Sequence, residues 1–391
     1  MSVLTDSLGR YRFDGTASLS GPGRMAPPRA VPWMDFENLW GPDGRWLGGR
    51  PGKAGMPAFT MAAPTETAIA APVTSGKAAG SAGPGLAKSS AAGNLEVTAR
   101  GYLDTSAAVA ENAGTLDMAL ARDTRRQMWI WGNTVATAAY ERDSLFGFAR
   151  RKGIGTLYLD CGGIIGNDKD VLGRFLDSAH ARGLAVELLF GAPEWALAKN
   201  HAIPVGLARK AVALADSLRK LGRSAPNSIQ MDVEPHSLAE WTGDPNGTYN
   251  QFIDMFVEIA AALKGSGIGI TACIPRWFDE RMVLRNDRTR PLSDWLADAT
   301  DRLTLMDYVD NANGIIAGAA HEIAYADSTG KEVVVGVETM PGLDPPSVSF
   351  AEEGEAAMNA ALEQTTAQYQ ARPGFFGVAI HHWGTYPAMK P

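Results

Sequence analysis

The sequence predicts an α/β fold, a (β/α)8 or TIM barrel over residues 126–391, behind an irregular Gly/Ala/Pro-rich arm over 1–125. Three observations predict it. Eight short apolar runs recur from Met128 onward. Amphipathic stretches of helical period lie between them, and glycines close several of those stretches just before the next run. The span also matches the ~250 residues usual for such a barrel.

The runs are "MWIWG" (128–132), "TLYLDCGG" (156–163), "AVELLFGAP" (185–193), "SIQMDVEP" (228–235), "GITACIPRW" (269–277), "LTLMDYVD" (303–310), "EVVVGVET" (332–339) and "GVAIHHWGTY" (377–386). Each has strand length and near-continuous apolar character, as strands buried on both faces require. Between them, "DKDVLGRFLDSAHARG" sets Val171, Leu172, Phe175, Leu176 and Ala179 on one stripe, and "GLARKAVALADSLRKLG" does the same with Leu207, Ala211, Ala215 and Leu218. Gly183, Gly222, Gly267 and Gly330 supply the helix stops. The rival architecture is an open doubly wound sheet. No G-x-G-x-x-G follows the first run and no phosphate-loop motif occurs, which favours the barrel.

Residues 1–125 read differently. "GPGRMAPPRAVPW" and "SGKAAGSAGPGLAKSSAAGN" are too poor in large apolar residues to offset ordering entropy. "WMDFENLWGPDGRWLGG" places three tryptophans among turn residues, as an arm docking on its own barrel or on a larger assembly would. "AAVAENAGTLDMALARDTRR" (107–126) fits short strands or a helix.

Bulk properties exclude some functions. Hydrophobic residues make up 45% and charged residues 20%, with a net charge of −7 and both signs mixed along the chain. No basic patch points to nucleic acid. No apolar run approaches the ~18 residues that span a bilayer, so no membrane partner is expected. The N-terminus shows no basic region followed by an apolar core, which argues for the cytoplasm and leaves export by another route compatible. Cys161 and Cys273 sit in separate apolar runs and read as core residues.

The predicted strand ends are polar, and a barrel's active site lies at the C-terminal strand ends. Strand 2 closes with Asp160, strand 4 with Asp232 and Glu234, strand 5 with Arg276 and Trp277, strand 6 with Asp307, Tyr308 and Asp310, strand 7 with Glu338, and strand 8 with His381, His382 and Trp383. Alternation along strand 4 turns Gln230, Asp232 and Glu234 into the barrel and Val233 toward the helices. Glu338 lies in phase with Gly336 and Val334, across the barrel from Glu234. Two opposed carboxyl groups are what cleavage of a glycosidic bond needs, one to protonate the leaving oxygen and one to meet the anomeric carbon. His381 and His382 suggest a metal. Neighbouring strand positions point opposite ways, however, so no metal or other cofactor is expected.

The layout resembles the TIM-barrel glycoside hydrolases, in two versions. "DVEP" (232–235) and "GVET" (336–339) resemble the retaining clan with a glutamate acid/base after strand 4 and a glutamate nucleophile after strand 7. That resemblance implies Glu234 as acid/base, Glu338 as nucleophile, Tyr308 as its hydrogen-bond donor and Trp383 as the sugar platform. It departs at Val233, where the clan has an Asn that binds the 2-hydroxyl. The second version is the chitinase-like, substrate-assisted family 18. Its D-x-x-D-x-D-x-E falls on Asn227, Gln230, Asp232 and Glu234, and its M-x-Y-D on Met306 and Tyr308, with the acid displaced to Asp310. There Glu234 is the acid, Asp232 orients an N-acetyl group, and Glu338 only binds.

The two-glutamate version is the sequence reading, with Asp232 as modulator of Glu234. The expected substrate is a poly- or oligosaccharide. Trp277 and Trp195 add stacking surface, and Arg276, Asp160, Asp307, His382 and His236 reach hydroxyls. A non-catalytic carbohydrate-binding or assembly protein on the same scaffold is the alternative.

Overall fold

The computed structural model describes residues 125–391 throughout, Asp123, and six short strands nearer the N-terminus. Those strands, Ser2–Thr5, Arg10–Asp14, Leu86–Ser89, Asn94–Thr98, Thr105–Ala108 and Thr115–Ala119, form two antiparallel three-stranded sheets. The segment left open between strand and helix thus contains Thr115–Ala119 as a strand. The tryptophan-bearing stretch, with its expected docking, lies outside the described residues.

From Arg126 onward the chain closes an eight-stranded parallel barrel. Its strands are β1 (Arg126–Ile130), β2 (Ile154–Asp160), β3 (Ala185–Phe190), β4 (Ser228–Met231), β5 (Gly269–Pro275), β6 (Arg302–Met306), β7 (Glu332–Glu338) and β8 (Phe375–His381). Every predicted run carries one strand. Neighbours in sequence are neighbours in the ring, and β8 pairs with β1 to close it. The helices Lys169–His180 and Ala202–Lys220 bury the predicted stripes, except that Val171 is only partly buried. The four predicted glycine stops all have positive φ. Between β5 and β6 the chain adds a hairpin that periodicity did not announce, Met282–Arg285 against Arg288–Pro291. Its two turn residues, Asn286 and Asp287, are both at positive φ, as a two-residue hairpin turn requires.

The barrel interior is more polar than the branched aliphatic filling usual for the fold. At the N-terminal end, Arg302 of β6 pairs with Glu187 of β3 and with Glu332 of β7, 2.9 Å away. Thr271 of β5 donates to the free oxygen of Glu187 at 3.0 Å, and the Phe376 ring lies 4.1 Å from the guanidinium carbon. All three charged side chains are buried. One layer up, Tyr158 donates to Gln127 at 2.7 Å and Thr304 to Gln230 at 3.2 Å. Above them Trp129 fills the centre, edge-on to Tyr158 at 4.8 Å. Gly336 makes room for it, since a Cβ there would stand 2.8 Å from the indole ring and 2.7 Å from the Leu305 carbonyl.

The ion triad ties three strands together out of water, and removing its cation leaves two buried carboxylates without a charged partner. Arg302→Met is therefore expected to destabilise the barrel by about 3–5 kcal/mol, the usual cost of breaking a buried pair from one side. Thermal denaturation checks this, and an unchanged Tm would refute it.

Candidate active site

The chain past β4 stays extended. The Asp232 backbone N–H donates to the Phe190 carbonyl at 2.7 Å, so pairing with β3 outlasts the strand. This close approach needs glycine at 191, because a Cβ there would overlap the Asp232 carbonyl oxygen. Alternation then buries Val233 on one side and brings Asp232 and Glu234 together on the other, 5% and 3% exposed. Burial first, and then the Glu234 charge, push the Asp232 carboxyl up to about 8, opposed by the Cys273 thiol and the Trp129 indole beside it. Burial also raises Glu234, opposed by His236, whose Nε2 lies 3.0 Å from Oε2. Glu234 Oε1 is buried without a hydrogen-bond partner. The His236 ring is set edge-on against Trp277 at 5.3 Å and Trp241 at 6.2 Å.

The end of β7 offers a third carboxyl. Glu338 Oε1 accepts the backbone N–H groups of Thr339 at 2.7 Å and Met340 at 2.9 Å. Its Oε2 lies 2.7 Å from His381 Nδ1, on β8. Trp131, just past β1, donates its indole N–H to His381 Nε2 at 3.2 Å. Burial pushes Glu338 up to about 8 against the two backbone bonds. The strand facing β4 directly across the ring is β8; β7 lies one step short of it.

The expectation that His381 and His382 point apart is corrected. The strand ends at His381, the bond joining the two residues is cis, and their ring centroids are 4.8 Å apart. With Glu338 they form the one group among the described residues whose potential metal-ligand atoms all lie within 4.8 Å of one another. The Gly384 N–H donates to His382 Nδ1 at 2.9 Å.

The other predicted residues fall around this centre. Asp160 accepts the N–H groups of Gly132 and Gly162, each at 3.2 Å, and burial raises it to about 6. Asp307 is fully buried and 2.8 Å from Arg276; burial lifts it to about 7 against that guanidinium. Arg276 also donates to the Gly314 carbonyl at 2.9 Å. Tyr308 is half-buried, its ring 5.8 Å from His381, while the bonds to Glu338 come from Thr339 and Met340. Of the three expected stacking tryptophans, Trp277 is half-buried. Trp195 and Trp383 belong to the core, the latter edge-on to Phe148 at 5.1 Å. Sequence reasoning missed Trp129, Trp131, Trp241 and Cys273, which sit in apolar surroundings and carry no polar signature of their own.

No family profile matches the chain, and no curated protein does. Solved structures similar to it include a chitinase from Chromobacterium violaceum ATCC 12472, at 13% identity over 67% of this chain and 95% of that one, TM-score 0.42. A GH18 chitinase from Pseudoalteromonas aurantia is similar at 13% identity over 52% and 72%, TM-score 0.35. D-Psicose 3-epimerase from Clostridium cellulolyticum H10 is similar at 12% over 62% and 79%, TM-score 0.35. Likenesses of this size carry no activity over to this chain. Among the described residues no helix is long and apolar enough to cross a membrane.

Asp160, Asp307 and Asp232, raised to about 6, 7 and 8, hold their protons more tightly folded than unfolded. Raising the pH through that range removes protons that the folded state binds, so stability falls. The Tm is expected to be highest near pH ~5 and to decline toward pH ~8.5, with Asp232→Asn flattening the upper part of the decline. A Tm that climbs over this window would contradict the assignment.

Proposed function

We propose that the protein is a glycoside hydrolase acting on an oligo- or polysaccharide, with Glu234 as the proton donor and Glu338 as the second carboxylate. The observation that carries this reading is the Asp232–Glu234 pair, two carboxyl groups two residues apart, both buried and both raised. Burial and mutual repulsion keep a proton on the pair at neutral pH, which is what a general acid requires. His236 occupies Glu234 Oε2 and leaves the buried, unpartnered Oε1 as the oxygen that meets the glycosidic oxygen. Once the proton has left, the His236 contact stabilises the carboxylate that remains.

Glu338 takes the complementary role. Its Oε1 is anchored by two backbone N–H bonds, which fixes the direction of Oε2. In the retaining version the ionised form of Glu338, favoured as the pH approaches the raised value of about 8, attacks the anomeric carbon through Oε2, and Glu234 then works as base on the incoming water. A second reading is favoured by Asp232 Oδ1, which is buried without a hydrogen-bond partner. In that version Asp232 holds an N-acetyl group of the substrate, and that group attacks in place of Glu338. Arg276, Trp277 and His236 are partly exposed and so are open to contact with a sugar.

The test is a glycan panel with wild type, Glu234→Gln and Glu338→Gln. Glu234→Gln is expected to lower kcat by roughly 10²–10⁴-fold on a substrate with a poor leaving group while sugar binding persists. Glu338→Gln is expected to lose comparable activity if that residue is the nucleophile, and to keep most of it if the N-acetyl group attacks. A wild-type chain that binds glycans and cleaves none across the panel would replace the hydrolase with the carbohydrate-binding alternative.

A further inference from the structure

Three buried side chains meet between the ends of β7 and β8: Glu338, His381 and His382, each with a potential ligand atom within 4.8 Å of the others. The composition of the group suggests a metal ion, but its hydrogen bonds point elsewhere. An indole N–H can only donate. Trp131 gives its N–H to His381 Nε2 at 3.2 Å, so that nitrogen holds a lone pair and the neutral ring carries its hydrogen on Nδ1. This is the nitrogen 2.7 Å from Glu338 Oε2. A backbone N–H can likewise only donate. That of Gly384 meets His382 Nδ1 at 2.9 Å, so the His382 hydrogen is on Nε2. Burial, with His381 beside it, holds the His382 pKa well below the ordinary histidine value, and the ring stays neutral. Both nitrogens that would have to face a metal therefore carry hydrogens, where a metal needs lone pairs.

The group thus brings two N–H donors and one carboxylate acceptor together in one buried cluster. Glu338 Oε2 and His382 Nε2 have no hydrogen-bond partner among the described residues, and buried polar groups are rarely left so unless a bound molecule completes them. A hydroxyl matches all three atoms at once: its oxygen accepts from the two rings and its hydrogen goes to Glu338. We propose that Glu338, His381 and His382 form a hydroxyl-binding site that holds either a substrate hydroxyl next to the scissile bond or the hydrolytic water. The sugar side of this proposal rests on the hydrolase reading; the donor assignment does not. The site lies at the end of the strand facing Asp232 and Glu234 across the ring. If water occupies it, the water's hydrogen passes to Glu338 as its oxygen bonds to the anomeric carbon and the leaving oxygen takes the Glu234 proton. The anomeric configuration then inverts.

Two measurements on the full chain test this. Long-range 1H–15N spectra of histidine-labelled protein, assigned with His381→Gln and His382→Gln, are expected to place hydrogens on His381 Nδ1 and His382 Nε2 and to remain unchanged when Zn2+ is added. A His382 hydrogen on Nδ1, or a Zn2+-induced shift of both rings, overturns the proposal in favour of a metal centre. In kinetics, His382→Gln keeps an N–H donor and His382→Leu removes it. The Leu variant is expected to fall at least roughly tenfold below the Gln variant in kcat/KM at matched Tm, as loss of one directed hydrogen bond predicts. Equal rates for the two would overturn it. Product configuration then separates the sources, with retention assigning the site to a sugar hydroxyl and inversion to water. If wild type cleaves no glycan, the hydrolase reading fails and the spectra alone decide the site.

Discussion

Carboxyl groups resist leaving water, and this barrel holds five of them out of it at one mouth: Asp160, Asp232, Glu234, Asp307 and Glu338. Every other feature of that mouth answers to this constraint. Asp307 is met by a guanidinium, Asp160 and Glu338 by pairs of backbone N–H groups, and Glu234 by an imidazole. Asp232 is met by neutral groups, Trp129 and Cys273. The compensation is uneven, and the unevenness separates the acids. Those anchored by N–H groups have one oxygen held in place, while Asp232, Glu234 and Glu338 each keep an oxygen without a hydrogen-bond partner. A mouth built for stability alone would pair all five.

The opposite end shows what full compensation looks like. Arg302 stands between Glu187 and Glu332, with Thr271 bonded to one acid, so one guanidinium serves both carboxylates and each acid has a directed partner. Between the two ends lies a neutral hydrogen-bonded layer and then Trp129, whose ring separates the satisfied base from the unsatisfied mouth. Gly336 and Gly191 sit where backbone and ring come closest, and each is set by crowding rather than by turn geometry. Polar residues thus occur along the whole axis of the barrel, and at the mouth several buried acids keep an oxygen without a hydrogen-bond partner.

Much of the fold was legible in the sequence because strands buried on both faces leave a mark that survives without context: short, continuous apolar runs at regular intervals. The acids were legible because they interrupt those runs at their ends. What was not legible depends on three-dimensional closure. Glu187, Arg302 and Glu332 stand at or near the starts of three runs, and each alone reads as a helix-to-strand loop residue; only the closed ring brings them together. Alternation correctly separated Val233 from Asp232 and Glu234, then misled at His381 and His382, where the strand ends and period-two geometry lapses. Aromatic residues were read by type, and type does not say which ring faces the mouth. Trp131 became the partner of His381, while Trp383 went into the core against Phe148.

The base triad bears on how such a chain tolerates change at its rim. It secures ring closure with side chains on β3, β6 and β7 that lie at the far end of the barrel from the rim. Architecture and candidate site then rest on separate residues, since the strand ends carry the buried acids of the mouth and the opposite end carries the staple. A chain holding this staple keeps its ring tied at a place that rim substitutions do not touch.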